Sequence, residues 1–229
     1  MDLTLEALRL RQDDWTLSAD WAAAAGQRIA VIGPSGAGKS TLLNAIAGFG
    51  ALDQGMIRWQ GRRIDLLPPG ARPISMLFQD QNLFPHLTVA QNLGLGLDPA
   101  LRRVDWAAVD QALERVGLAG LGARKPAQLS GGQQSRAALA RSLLRARPIL
   151  LLDEPFAALG PALKAEMLAL VAELAGQALV LMVTHDPEDA RAFASHTVLV
   201  AEGRADPPVP TNALFADPPA ALAAYLGQG

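Results

Sequence analysis

The sequence predicts an α/β fold: a mainly parallel, covered sheet, an N-terminal antiparallel β subdomain and an inserted α-helical subdomain. Three observations predict it. Short apolar runs alternate with helical segments at both ends of the chain, the N-terminal segments alternate apolar and polar residues, and the middle stretch has helical periodicity without a convincing strand. With 229 residues, of which 50% are hydrophobic, the chain can bury a sizeable core as one large domain.

The first 79 residues are rich in predicted strands. "LTLEALRLR" and "WTLSADW" have strand-like alternation, and "MIRWQGRRI" predicts a hairpin that turns at Gln60 and Gly61. "RIAVIG" and "ISMLF" predict buried strands, and "KSTLLNAIAGF" predicts the helix that follows the first of them. The residues of "WTLSADW" expected on one face are Trp15, Leu17, Ala19 and Trp21.

Residues 80–146 predict a helical subdomain, with helices in "VDWAAVDQALERVGL" and "QSRAALARSLLRA". Strand–helix alternation then resumes with "ILLLD", "PALKAEMLALVAELA", "ALVLMV", "PEDARAFA" and "HTVLVAEGR". The proline-broken tail after Arg204 predicts short docked helices. We therefore expect a single domain over 1–229, in which 1–79 and 147–229 form the α/β core with its β subdomain.

Composition excludes several classes of function. The chain has no cysteine, which excludes disulfide scaffolds, thiolate metal sites and cysteine nucleophiles. A net charge of −2 gives no electrostatic footprint for nucleic acid. The sequence shows no secretory signal, and no run approaches the roughly 18 apolar residues of a membrane span. We expect a soluble protein or one held at a membrane by partners.

"GPSGAGKST", residues 33–41, follows a predicted strand and opens a predicted helix. This is the context in which G-x-x-x-x-G-K-[ST] binds a polyphosphate. The glycines let backbone N–H groups converge on the phosphates, Lys39 reaches the outer phosphates, and the Ser40 hydroxyl can ligate Mg²⁺. The alternative is a glycine-rich turn that binds nothing. The predicted nucleotide-binding residues are Gly33, Pro34, Ser35, Gly36, Ala37, Gly38, Lys39, Ser40 and Thr41.

"ILLLDEP" ends a predicted buried strand with two carboxylates. Asp153 is suited to ligate a metal ion beside the phosphates, and Glu154 is then placed to polarise an attacking water. The alternative, a capped strand end without chemistry, is common for such a run taken alone. The motif "ILLLDEP" and the glycine-rich loop together predict a nucleotide hydrolase.

"LSGGQ", residues 129–133, lies between these two motifs and precedes a predicted helix. It makes a second anion-binding helix N-terminus in the chain, although a lone pentapeptide of this kind can also be an ordinary serine cap. Arg136, Arg141 and Arg145 follow it at helical spacing and are expected on a solvated face.

With these motifs the chain resembles the ATP-binding subunits of ABC transporters, which have a RecA-like P-loop NTPase core. Nearly the whole chain takes part, since five motifs occur in order. They are "GPSGAGKST" (Walker A), Gln79 in "LFQDQNLFPHLTV" (Q-loop), "LSGGQ" (signature), "ILLLDEP" (Walker B) and His185 in "VTHD" (switch histidine). Considered alone, each of these two residues has an ordinary alternative: Gln79 as a polar loop residue and His185 as a surface histidine after a strand. The order of the five motifs favours the functional interpretation.

The resemblance implies an ATPase that uses Mg²⁺ and works as a homodimer. The signature of one subunit, Ser130, Gly131, Gly132 and Gln133, would complete the ATP site of the other. Gln79 would contact the metal and γ-phosphate and connect them to transmembrane permease subunits, and His185 would hold the γ-phosphate and attacking water. The resemblance also implies a peripheral position at the cytoplasmic face of the bacterial inner membrane, and indirect work with a periplasmic substrate-binding protein.

Two places depart from the family pattern. Gly160 stands where the family has an aspartate that helps the two ATP sites communicate, which puts coupling or turnover rate in doubt. The second place is the aromatic residue that stacks on adenine: Trp15 is the best candidate, and the alternative is that Trp15 packs in the core on its strand.

Within the family, "GPSGAGKSTLLNAIAGF", "MLFQDQNLFPHLTVAQNLGLGL" and "PILLLDEPFAAL" look most like the ATP-binding subunits of bacterial thiamine importers. The implied cargo is thiamine and its phosphates; importers of iron, sulfate or polyamines are the alternative. A DNA-repair-type ABC ATPase is the alternative from another class, but it would need a long coiled-coil insertion or zinc cysteines, which this chain lacks.

Overall fold

A computed structural model describes residues 2–78 and 83–227 of the protein. Its strands are β1 (Leu3–Gln12), β2 (Trp15–Ala23), β3 (Arg28–Ile32), β4 (Gln54–Trp59), β5 (Arg62–Arg63), β6 (Ile74–Leu77), β7 (Ile149–Asp153), β8 (Leu179–Val183), β9 (His196–Ala201), β10 (Arg204–Ala205) and β11 (Val209–Pro210). Its α-helices are α1 (Lys39–Ala47), α2 (Val89–Leu97), α3 (Trp106–Arg115), α4 (Gly131–Leu144), α5 (Pro161–Leu174), α6 (Pro187–Phe193), α7 (Thr211–Ala216) and α8 (Ala220–Tyr225). These elements confirm the predicted α/β class.

The centre of the molecule is a parallel sheet in the order β9-β3-β8-β7-β6. Its strands read as continuous apolar runs because helices cover both faces. The register pairs Asp153 with Val183, so β7 and β8 end side by side. The carboxyl ends of parallel strands are where α/β sheets bind ligands, and the Walker B carboxylates lie at this edge.

The N-terminal part is an antiparallel sheet in the order β5-β4-β1-β2. The hairpin between β4 and β5 turns at Gln60 and Gly61, as predicted, and both have the positive φ of a tight hairpin turn. Strand β10, which was not predicted as a separate strand, pairs with both β2 and β9. This short strand joins the antiparallel and parallel parts into one sheet.

Residues 83–146, as described, contain helices and no strand, as predicted. They have a small apolar core of their own, in which α2, α3 and α4 pack together. Helix α2 was not predicted, although Thr88 and Gln91 form a capping box that the pattern T-x-x-Q could have indicated. The boundaries of the helical subdomain, placed at residues 80 and 146 from the sequence, remain a prediction.

The arginines after the signature do not all lie on a solvated face, so that expectation was wrong. Arg136 donates to Glu166 of α5 at 2.5 Å, and the Arg141 guanidinium lies 5.9 Å from the centre of the Phe84 ring. Arg145 is exposed. The tail after Arg204 forms α7 and α8, as predicted, and α8 buries Leu222 completely. None of the described helices combines the length and apolar character needed to cross a bilayer.

Candidate functional site

The Walker A residues form the loop between β3 and α1. Gly33 has φ +147°, and a Cβ there would lie 2.0 Å from the carbonyl oxygen of Val200 on β9, so only glycine fits. Gly38 has φ +99° and precedes the first residue of α1. Because Gly38 brings no side-chain cap, the N–H groups of the first turn of α1 are left for another acceptor. The loop therefore has the backbone geometry of a phosphate site.

Lys39 lies across this loop and is buried. Its Nζ donates hydrogen bonds to the carbonyl oxygens of Gly33 and Pro34, each at 2.8 Å. Burial lowers the pKa of the Lys39 ammonium, while the negative charges of Glu154 and Asp153 oppose that shift. The ammonium is thus held at the loop and has neutral carbonyl partners there, which charged phosphate oxygens can replace.

Asp153 ends β7 beside the start of α1, and the Ser40 hydroxyl donates to its Oδ1 at 2.8 Å. Burial raises the pKa of the Asp153 carboxyl; the hydrogen bond from Ser40 lowers it, Glu154 raises it further and Lys39 lowers it. The two side chains, 113 positions apart in the chain, place a hydroxyl and a carboxylate oxygen together. Hard oxygen donors of this kind suit Mg²⁺, so the residues present fit the predicted metal.

Glu154 and His185 leave the adjacent ends of β7 and β8. The Glu154 backbone N–H donates to Val183 at 3.1 Å, and His185 Nδ1 lies 3.0 Å from Glu154 Oε2. An ionised carboxylate only accepts, so this contact places a proton on Nδ1 and leaves Nε2 for another partner. Glu154 has φ +43°, a left-handed conformation that non-glycine residues seldom adopt and that recurs at functional sites.

A cavity of about 580 Å³ opens in front of the Walker A loop. Part of its wall was not predicted: it consists of Gln12, the last residue of β1, and of Asp13 and Asp14 in the turn before β2. The available signal was the pair of acidic residues between two predicted strands. Trp15 follows them and faces the loop. The lining residues are Gln12, Asp13, Asp14, Trp15, Ser35, Gly36, Gly38, Lys39, Ser40, Thr41 and Glu154.

The signature forms the N-terminus of α4. Ser130 caps it: its Oγ accepts from the Gln133 backbone N–H at 3.3 Å, and Gln133 Oε1 accepts from the Ser130 N–H at 3.0 Å. A Cβ at Gly132 would lie 2.5 Å from the Leu163 side chain of α5, whereas Gly131 has open space around it. Within one chain, the described lining of the cavity includes no signature residue. The structure brings together Walker A, Walker B and His185, and leaves the signature apart.

Two other predicted positions stand as follows. Gln79 lies outside the described residues. Gly160 is the N-cap residue of α5, with φ −66° and ψ 158°, so the departure from the family pattern is not imposed by backbone conformation.

Comparison with known proteins identifies the family and the fold of this chain. The sequence profile of the ABC transporter family matches residues 18–157. A protein of Cereibacter sphaeroides named thiamine import ATP-binding protein ThiQ is 71% identical over 98% of this chain and 99% of its own length. Proteins of the same name from a Ruegeria species and from Yersinia pseudotuberculosis are 58% and 49% identical, each over 98% of this chain, and over 99% and 97% of their own lengths.

Among solved structures, the fold is similar to a dimeric post-hydrolysis state of the ATP-binding cassette MJ0796 bound to ADP and Pi. The TM-score is 0.77 at 27% identity, over 91% of this chain and 98% of that one. The profile, the relatives and the solved structure indicate the same family, and Lys39, Ser40 and Glu154 line the cavity. This chain therefore belongs to the ABC transporter family and is an ATP-binding ATPase of that family.

Proposed function

We propose that this protein is the ATP-hydrolysing subunit that energises an importer of thiamine and its phosphates. The observation that carries the chemistry is the convergence of Lys39, the Ser40–Asp153 pair and the Glu154–His185 pair on one edge of the sheet. The cargo is supported by the name of relatives that match nearly the whole chain at up to 71% identity.

ATP is the substrate of this site, with its phosphates on the Walker A loop. Backbone N–H groups and the Lys39 ammonium stabilise the charge that develops on the phosphates, which is the main catalytic term in phosphoryl transfer. Glu154 orients the attacking water and takes up its proton. His185, with Nδ1 turned to Glu154, offers Nε2 to the water or the γ-phosphate.

Ser40 and Asp153 would hold Mg²⁺, with Gln79 as a further ligand. The ion, when bound, neutralises negative charge on the β- and γ-phosphates. The raised pKa of Asp153 supports this assignment, because a buried carboxylate gains from a cation that replaces the lost hydration.

The adenine ring would stack on Trp15. Its indole lines the same cavity as the Walker A residues and is only partly buried, which supports a contact with a ligand in that cavity. Two copies of the chain would close head to tail, so that Ser130, Gly131, Gly132 and Gln133 of each meet the triphosphate held by the other. The exposed position of the capped α4 N-terminus supports this arrangement, since a buried helix end could not meet a partner's ligand.

The helical subdomain, proposed here as residues 80–146, would transmit closure to transmembrane permease subunits. Large apolar side chains are exposed at and near this subdomain. Phe49 is 59% exposed and packs on Phe78, the residue before Gln79, at 5.7 Å between ring centres, and Phe84, five positions after Gln79 in the chain, is 46% exposed. Such side chains suit a protein partner. The chain would then lie peripherally at the cytoplasmic face of the inner membrane, and a periplasmic binding protein would deliver the cargo without touching it.

The test is uptake of labelled thiamine by membrane vesicles that contain this chain assembled with its permease subunits. We expect ATP-dependent uptake that Glu154→Gln abolishes, with unlabelled thiamine and thiamine phosphates as competitors. Uptake of iron, sulfate or a polyamine in place of thiamine would overturn the cargo assignment but not the ATPase. Salt-sensitive affinity for DNA without any permease would instead support the DNA-repair alternative.

A further inference from the structure

The C-terminal residues 209–225, here called the strap, cross the segment that carries His185. The strap starts at β11, which pairs with β9. Next to it, the hydroxyls of Thr211 and Thr197 form a buried hydrogen bond at 3.0 Å, and the Thr211 N–H donates to Ser195 at 3.1 Å. The origin of the strap is therefore pinned to the parallel sheet.

From this origin the strap passes over α6, the helix that follows His185. The Phe215 ring lies under the Arg191 guanidinium at 4.4 Å, a cation–π contact between α7 and α6. Leu222 of α8 is fully buried in the same apolar cluster as Phe193 and Ala190 of α6. The strap thus holds α6 by one polar and one apolar contact.

At the end of the strap, the Tyr225 hydroxyl donates to the backbone carbonyl of His185 at 2.5 Å. Burial raises the pKa of the Tyr225 hydroxyl, and the negative charges of Asp186 and Glu154 raise it further. The hydroxyl therefore stays protonated, and remains a donor, throughout the physiological pH range.

The backbone at His185 matters because the side chain has little packing of its own. It is 62% exposed, and within residues 2–78 and 83–227 the hydrogen-bond partner of its ring is Glu154. The residues after it are fixed from another side, since Lys164 of α5 pairs with Asp186 at 2.6 Å and Asp189 at 2.9 Å. Tyr225 acts directly on the peptide group of His185 itself.

We propose that Tyr225 is a positioning residue for His185, through which the C-terminal strap aligns the imidazole with Glu154 for ATP hydrolysis. This inference rests on the proposed role of His185. Tyr225 is not among the described residues that line the Walker A cavity, so we expect it to affect the rate of the chemical step and not ATP affinity.

The test compares Tyr225→Phe with wild type in steady-state ATP hydrolysis by the full chain. The loss of one hydrogen bond predicts a fall in kcat of about three- to tenfold, with KM for ATP within about twofold. The same substitution in a His185→Ala background should lower kcat no further, whereas a merely structural effect of the hydroxyl would persist there.

Leu222→Ala provides a second arm, because it loosens the anchor of the strap without touching Tyr225. Tyr225 is the chain's single tyrosine, so its ionisation can be followed by absorbance near 295 nm without interference from another phenol. We expect its pKa to fall toward the ordinary value of about 10 in Leu222→Ala, together with a fall in kcat at least as large as that of Tyr225→Phe.

The outcomes separate the two claims. A wild-type kcat in Tyr225→Phe, or an equal further fall in the His185→Ala background, would overturn the positioning role while the ATPase assignment stands. A wild-type kcat in His185→Ala alone would overturn the role of His185 and the inference with it. A normal kcat in a Leu222→Ala protein whose tyrosine titrates ordinarily would also overturn the inference.

Discussion

The indole ring of Trp15 lies directly against Gly38. A Cβ at residue 38 would lie 2.2 Å from Cζ2 of that ring, closer than two carbon atoms can approach. Position 38 therefore needs glycine for two reasons: its φ is +99°, and the Trp15 ring leaves no space for a side chain. The contact joins the antiparallel hairpin, from which Trp15 comes, to the Walker A loop, and both residues line the cavity.

From this contact we expect Trp15→Ala to raise KM for ATP about tenfold while kcat stays within twofold, because stacking on a base contributes roughly 1–3 kcal/mol. Steady-state ATPase kinetics give both constants. Trp106→Ala is the matched control, since Trp106 is 46% exposed on α3 and does not line the cavity. An unchanged KM in Trp15→Ala, with only a lower free energy of unfolding, would make Trp15 a core residue.

Glu154→Gln should bind ATP but hydrolyse it roughly 10²–10⁴-fold more slowly, the usual scale for a positioned base. Nucleotide binding by calorimetry and single-turnover hydrolysis would separate the two effects. Glu202→Gln is the matched control, because Glu202 also has a positive φ, +51°, and lies in the exposed turn before β10. Near-normal turnover in Glu154→Gln would remove Glu154 from the role of base.

Asp153→Asn should stabilise the nucleotide-free protein at neutral pH and abolish Mg²⁺-dependent hydrolysis. Burial raises the pKa of the Asp153 carboxyl in the native state above its value of 3.8 in the unfolded chain, so its negative charge destabilises the native state. This destabilisation is absent below pH 3.8 and grows as the pH rises through the raised native pKa. The amide removes that charge. Thermal unfolding between pH 3.5 and 8 should show a higher Tm for the variant at pH 7 and a difference that vanishes near the acid end.

Asp20→Asn serves as the control for Asp153→Asn, since Asp20 is exposed on β2. We expect no comparable rise in its Tm at neutral pH. For a chain of this size a shift of about 2–4 °C corresponds to 1 kcal/mol. A lower Tm for Asp153→Asn at pH 7 would contradict the view that the Asp153 charge opposes folding.

Gly160→Asp should raise the free energy of unfolding by a few tenths of a kcal/mol, because Gly160 is the N-cap of α5 and aspartate caps better than glycine. A Cβ at this position meets nothing within 4 Å, so the substitution needs no rearrangement. We expect an ATPase rate in the assembled transporter that is equal or higher. Gly160→Ala is the control, which adds the carbon without the acceptor and should be slightly less stable than glycine.

The ATPase rate of Gly160→Asp in the assembled transporter decides what role Gly160 has in this chain. If Gly160→Asp is stable but its ATPase rate in the assembled transporter collapses, the carboxylate disturbs the contact between the two copies. This chain would then depend on glycine where its family has aspartate.

The Walker A loop, the end of β7 and the α4 cap were all predictable from the sequence, because each is a short run of consecutive residues. In residues 33–41 the strand end, the glycines and the first helical turn are covalently adjacent, so a local pattern determines where the N–H groups point. The hairpin at Gln60 and Gly61 was predictable for the same reason, since the residues of the turn specify its backbone conformation.

Tertiary structure alone decided which of these pieces meet. Glu154 and His185 are 31 residues apart, and Tyr225 lies 40 residues beyond His185. The first pair is in contact because β7 lies beside β8, and the second because α8 packs against α6, the helix that follows His185. Trp15 reaches Gly38, and β10 joins the two sheet parts, through strand pairings between distant segments. Periodicity indicates that a segment is a strand and which face is buried, but its neighbour in the sheet depends on how all the apolar faces pack at once.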